Sequence, residues 1–268
     1  MEGEYFIIIY FFETNILLKK AHDRAYFDAH ILHRNINITN IVTSATGRGL
    51  LIDWELSIDC TSFRPTVRAF FPPYIGFNKL LFLQGTWECM SAAVLRDPSR
   101  IQTIEDDRES AVHVLTLLAL RYINHHEPEH VVSAYLSDYN QIDHRLSMNI
   151  ATGGLYKGAQ FSSSMFPTFT SDPLNRILRV LNKTFSARYT KTYSDEEIKK
   201  TRDFVAQAER NPAMDPTIMY YYYQLAPYIY GSRLEALVKP KWLIEVFDEH
   251  LESDDWPSYD KAAVNPLN

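Results

Sequence analysis

His33-Arg34-Asn35-Ile36-Asn37-Ile38-Thr39-Asn40, with Ile52-Asp53-Trp54-Glu55 a short distance downstream, is the stretch on which the fold turns. Between the two lie Asn40-Ile41-Val42, a turn-like Ala45-Thr46-Gly47-Arg48-Gly49 and the apolar Leu50-Leu51-Ile52, which together predict a short β-hairpin. Asn40 would start the first strand and Asp53 would close the second, so their side chains would meet at the open end. One carboxylate and one amide oxygen held there suit a hard Mg²⁺ ion that keeps water and phosphate as its other ligands. Taken singly, Asn40 reads as a turn former and Asp53 as a residue at a hairpin end.

Working outward, Leu18, Ala21, Ala25, Ala29 and Leu32 recur at helical spacing and predict an amphipathic helix up to about His30, which delivers the chain into His33. Residues 57 to 92 have no clean period and contain Pro65, Pro72 and Pro73, so an irregular segment is expected. Its run Ala69 to Phe77 is apolar for a loop and must pack somewhere, present a partner surface, or be foreign to the fold. Thr103 with Asp106 resembles a capping box, and Ala111, Val114, Leu115, Leu118 and Tyr122 form one stripe, predicting a buried central helix. Asp106 and Glu109, near its start, read as a solvated turn favoured by the helix dipole. Further helices are expected after Ser171-Asp172-Pro173, after Ser194-Asp195-Glu196-Glu197 and over Lys241 to Leu251. The fold class is therefore mainly α with a small β-hairpin. Tyr220 to Tyr223 read as a packed segment, and residues 253–268 as a surface tail.

Across 268 residues, 33 acidic side chains outnumber 27 basic ones, for a net charge of −6, which argues against a nucleic-acid partner. Hydrophobic residues make up 46%, enough for a real core. Cys60 and Cys89 are the only cysteines, too few for a disulfide framework, and read as plain buried thiols in a cytoplasmic or nuclear setting. The apolar run Tyr5 to Phe12, within an N-terminal segment 1–13, is far shorter than the roughly 20 residues that span a bilayer, and its acidic leader does not suit a secretory signal. No membrane association is expected. His125, His126 and His130 lie on a polar stretch and read as solvent-facing rather than as a zinc site.

Taken together and in order, these features resemble the C-terminal half of a protein kinase. His33 to Asn40 matches the catalytic-loop pattern H-R-D-x-x-x-x-N, Asp53 matches the Asp of D-F-G, and Gly85-Thr86 with Met90 resembles the approach to A-P-E. Leu51-Ile52-Asp53-Trp54-Glu55-Leu56, Gly85-Thr86 to Met90-Ser91 and Glu105-Asp106-Asp107-Arg108-Glu109-Ser110 are most similar to the fungal-type protein kinase family. The resemblance implies a kinase-like C-lobe over 14–252, with catalytic loop 33–40 and activation segment 53–93. It implies Asn40 and Asp53 as Mg²⁺ ligands facing ATP, and His33 and Arg34 as the loop's structural pair, with Arg34 placed to meet an activation-segment phosphate. It also implies Asp107 as the buried acceptor of the loop's backbone N–H groups, and a protein substrate or protein partner.

The pattern breaks at Asn35, which stands where the family keeps its catalytic Asp; an amide has neither the charge nor the basicity for that role. Asn37 stands where many kinases keep a Lys, Glu55 replaces the D-F-G glycine, and Ser91-Ala92-Ala93 lacks the Glu of A-P-E. No G-x-G-x-x-G occurs, and His33 falls so early that the ATP-gripping N-terminal lobe is expected to be largely missing. Impaired phosphotransfer is the expectation. A pseudokinase scaffold is the alternative, and a small-molecule phosphotransferase of the aminoglycoside or choline kinase type, which also uses I-D-[WF]-E, is a third.

Overall fold

The structure, a computed structural model, describes residues 20–44, 49–61, 87–97, 99–125, 127–145, 150–163, 166–251 and 256. The apolar runs 5–12 and 69–77, the hairpin turn 45–48, Gly85-Thr86 and the tail other than Trp256 lie outside the described residues.

The described part is mainly helical with small antiparallel sheets. Helix α1 covers 20–29 and leads into strand β1 (Ile31–Leu32). The hairpin follows as β2 (Ile41–Thr43) and β3 (Gly49–Leu51), paired Ile41 to Leu51, Val42 to Leu50 and Thr43 to Gly49. This register leaves Asn40 and Asp53 just beyond the last pair, where the Ile52 N–H donates to the Asn40 carbonyl at 2.9 Å. Strand β4 (Ile58–Asp59) returns antiparallel to β1, so the segment expected to be irregular holds a strand next to the loop it braces. It also ends in a short helix, α2 (Ala92–Arg96), capped by the Ser91 side chain on the Val94 N–H.

Helix α3 (Ile104–Tyr122) is the axis of the molecule and is buried on nearly every face, so burial extends well beyond the expected stripe, whose members Leu118 and Tyr122 are only partly buried. The Asp106 carboxylate accepts from the Thr103 N–H at 2.9 Å and closes its first turn. Around it lie α4 (Glu129–Tyr139), a second hairpin of β5 (Ile142–Arg145) and β6 (Ile150–Gly153), α5 (Leu155–Ser163), α6 (Asp172–Phe185), α7 (Asp195–Glu209), α8 (Pro216–Tyr223), α9 (Ala226–Val238) and α10 (Trp242–Leu251). Helix α6 carries Pro173 in its first turn, and α7 carries the Ser194/Glu197 capping box. The core joins Ala111, Val114, Leu115 and Leu117 of α3 to Leu174, Ile177, Leu178 and Leu181 of α6 and to Trp242, Leu243 and Phe247 of α10. Each buried aliphatic side chain of this kind contributes about 1.5–3 kcal/mol.

Three expectations are corrected. Cys60 is exposed at the end of β4, while Cys89 is buried, and burial pushes its thiol up to about 11. Tyr220, Tyr221 and Tyr223 are exposed although α8 packs against α7, where Phe204 meets Tyr222 at 4.7 Å between ring centroids and the Tyr223 hydroxyl donates to Glu209 at 2.7 Å. Asp106 and Glu109 are fully buried rather than solvated, for reasons that belong to the site. No helix among the described residues is long and apolar enough to cross a membrane.

Candidate functional site

The loop 33–40 is held from below by one carboxylate. Asp107, 1% exposed in the first turn of α3, accepts the backbone N–H of His33 at 3.0 Å and the backbone N–H of Arg34 at 3.1 and 3.0 Å on its two oxygens. The His22 Nε2–H on α1 donates to the same group at 3.0 Å. These bonds fix Arg34 in the left-handed region (φ 69°), a conformation that costs a residue with a Cβ free energy unless its surroundings over-determine it.

His33 is wholly buried and has one readable tautomer. Its Nε2 lies 3.0 Å from the Ile52 carbonyl, which can only accept, and its Nδ1 lies 3.2 Å from the Asn35 N–H, which can only donate. The ring is therefore neutral with its proton on Nε2, in keeping with burial, which lowers its pKa against the pull of Asp107 and Asp53. Trp54 packs edge-on against it at 4.5 Å. The ring thus joins loop 33–40 to the end of β3, and this joint sets the spacing of Asn40 and Asp53.

Asn35, Asn40 and Asp53 converge. The Asn35 Nδ2 donates to Asp53 Oδ2 at 3.1 Å, and the Asn40 Nδ2 donates to the same oxygen at 3.4 Å and to the Asn35 carbonyl at 2.9 Å. With Nδ2 so committed, Oδ1 is the end of Asn40 available to a cation. Asp53 is exposed and left-handed (φ 62°), which an Asp tolerates better than most residues. Asn37 completes the loop: its Oδ1 accepts from the N–H groups of Thr39 and Asn40 at 2.9 and 3.1 Å, and its Nδ2 donates to Asn35 Oδ1 at 2.9 Å. Arg34 directs its Nε to Gln102 at 2.7 Å and an N–H to the Leu56 carbonyl at 3.4 Å, at the start of the segment that continues beyond the described residues. Burial lowers its pKa.

Residues that sequence reasoning passed over stand behind this loop. Arg188 reaches α3, pairing with Asp106 at 2.6 Å and closely with Glu109. Burial alone would raise the Glu109 carboxyl, but Arg188, His113 and Tyr189 outweigh it and hold it at about 2. Asp106 also accepts from the Ser91 hydroxyl, and Glu109 from the Ala92 N–H, each at 2.7 Å. The Ser91-Ala92-Ala93 stretch lacks a Glu of its own, and these two α3 carboxylates secure it instead. Lys157, fully buried on α5, donates to the carbonyls of Trp87, Glu88 and Met90 at 2.7, 2.8 and 3.1 Å. Burial pushes its pKa down to about 7.

The donor set is modest for a metal. Among the described residues no three His, Cys, Asp or Glu side chains gather, so a divalent ion here would rest on Asp53, the Asn40 oxygen and the ligand's own oxygens. That combination fits a Mg²⁺ ion carried in on phosphate better than a resident metal. Comparison with protein-family models, curated proteins and solved structures returns no match.

Proposed function

We propose that this chain is a protein-kinase-like C-terminal lobe of the fungal type in which the loop 33–40 keeps its architecture and has lost its phosphotransfer chemistry. The reading is carried by one observation: Asn35, Asn40 and Asp53 share hydrogen bonds above a loop whose backbone N–H groups end on Asp107. In a phosphotransferase of this class, a carboxylate at position 35 would accept or orient the proton of the attacking hydroxyl. Asn35 has no such capacity, and both ends of its amide are already engaged, Nδ2 with Asp53 and Oδ1 with Asn37. Asp53 and Asn40 would hold a Mg²⁺ ion, whose charge offsets that of a bound phosphate. His33 and Asp107 keep those two ligands at a fixed separation, and Arg34 holds the following segment through Leu56.

The test is a phosphate-transfer assay on the purified chain with Mg-ATP and a mixed protein acceptor, together with a thermal-shift titration with the same nucleotide. Transfer at background level is expected, with a rise in melting temperature that requires Mg²⁺ and is lost in Asp53→Ala. Robust transfer by the natural sequence, abolished in Asp53→Ala, would overturn the loss of chemistry. A nucleotide response that is absent or indifferent to Asp53 would overturn the site and leave a binding module for a protein partner as the reading.

A further inference from the structure

At the far end of α3 from Asp107, a separation of about 20 Å by the rise of the helix, Leu120 meets α4 and α5 around a cavity of about 390 Å³. Its volume lies within the range of small-molecule pockets. The walls are mostly apolar, with Val132, Tyr135, Phe166 and Pro167 among them, and Glu127 is the one charged lining residue among the described residues. One Glu127 oxygen is occupied, accepting from the N–H and hydroxyl of Thr168 at 3.2 and 2.9 Å.

Gln160, which also lines this cavity, is 7% exposed, and neither the nitrogen nor the oxygen of its amide has a hydrogen-bond partner. Buried amides in folded proteins are almost always paired, because an unpaired one carries its full desolvation cost. A leucine or methionine would fill the same wall without that cost. The amide is closed off from solvent, so engaging it requires the side chain to turn toward the cavity. With no bond to break, that turn is a rotamer change alone.

We propose that this cavity is a binding site for a small, largely apolar ring compound carrying an N–H donor beside a C=O acceptor, a lactam-type edge that pairs with both ends of the Gln160 amide. Glu127 selects against anionic compounds by like-charge repulsion, with no cationic side chain among the described lining residues. The inference is independent of the loop 33–40 and stands or falls apart from it.

The probe is 2-quinolone, a bicyclic lactam, compared with 1-methyl-2-quinolone, which has the same shape but no N–H. Binding is measured by ligand-observed NMR and calorimetry on the full chain. Saturable binding of 2-quinolone is expected, with the methylated compound at least about tenfold weaker, a difference on the scale of one lost hydrogen bond. Gln160→Leu should erase that preference and raise the melting temperature, because it removes the unpaired amide. Val131→Trp, a rim substitution that fills the cavity and leaves Gln160 alone, should abolish binding of both compounds. Absence of saturable 2-quinolone binding, equal affinities for the two compounds, a preference that survives Gln160→Leu, or binding that survives Val131→Trp would each overturn the proposal.

Discussion

Asn35 is a neutral link in the loop: its amide donates to the Asp53 carboxylate at 3.1 Å. Asn35→Asp would place two carboxylates about one hydrogen-bond length apart, where one of them is forced toward protonation. Thermal unfolding of Asn35→Asp without Mg²⁺ should show a loss on the order of 1 kcal/mol, with millimolar Mg²⁺ restoring it selectively in the variant. A variant that ignores Mg²⁺ would remove Asp53 and Asn40 as metal ligands. Asp107 has a different role, since its substitution leaves buried N–H groups of His33 and Arg34 without an acceptor and a buried His22 without a partner. Asp107→Ala should cost about 3–5 kcal/mol in urea unfolding, the sum of about 1–3 kcal/mol for each buried donor left without an acceptor; a cost below about 1 kcal/mol would deny it the supporting role. Asn35, Asn40 and Asp53 were legible because a loop and a hairpin fix their relation locally, within one short stretch of chain. Asp106 and Glu109 were misread because acids in a first helical turn look alike whether water or arginine meets them. The arginine is Arg188, whose approach to α3 is set by the packing of α6 and leaves no periodic trace in the sequence.

Among the elements, α3 carries the titratable core that the site leans on. His113, one turn beyond Glu109, is fully buried beside Lys157 and Arg188, and burial first, then those cations, hold its pKa at about 4 against the pull of Glu109. In the unfolded chain it returns to 6.5, so between pH 4 and 6.5 the unfolded state binds the extra proton and stability rises with pH. The full span amounts to about 3 kcal/mol by the standard conversion. Glu109 adds a slope of the same sign below it: its depressed pKa gives stability that is complete above 4.5 and lost as pH falls toward 2. Chemical denaturation between pH 4 and 6.5 should show the first slope, and His113→Gln, which keeps a polar group near Tyr139, should flatten it. An unchanged slope in that variant would assign the effect elsewhere. The helices with sharp starts, α6 and α7, were legible from Pro173 and from the Ser194/Glu197 pair. By contrast, α4, the second hairpin and α5 were not read, because their burial depends on neighbours: Lys157 is interior only because three carbonyls of residues 87–90 receive it.

Across the molecule, one ion pair joins parts of the chain that local sequence cannot connect. The Arg108 guanidinium, fully buried on α3, donates to Asp23 of α1 at 2.8 Å and to the carbonyls of Leu237 and Lys239 at 2.7 and 3.0 Å, between α9 and α10. Asp23 in turn accepts the Lys241 N–H at 2.6 Å, where the backbone turns left-handed (φ 62°) to start α10. Three segments far apart in sequence therefore share one buried charge pair. Asp23→Ala leaves the guanidinium interior with only carbonyls to meet it, so unfolding should lose about 3–5 kcal/mol, with the denaturant slope unchanged because the same surface is still exposed. Replacing both residues, Asp23→Ala with Arg108→Met, removes the stranded charge and should recover most of that loss, since apolar substitutes for buried pairs are often neutral. Urea unfolding of the two single variants and the double variant closes the cycle. If Asp23→Ala merely frays α1, hydrogen exchange would quicken there alone while α3 keeps its protection, and the pair would then be a local clasp rather than the joint that unites the fold.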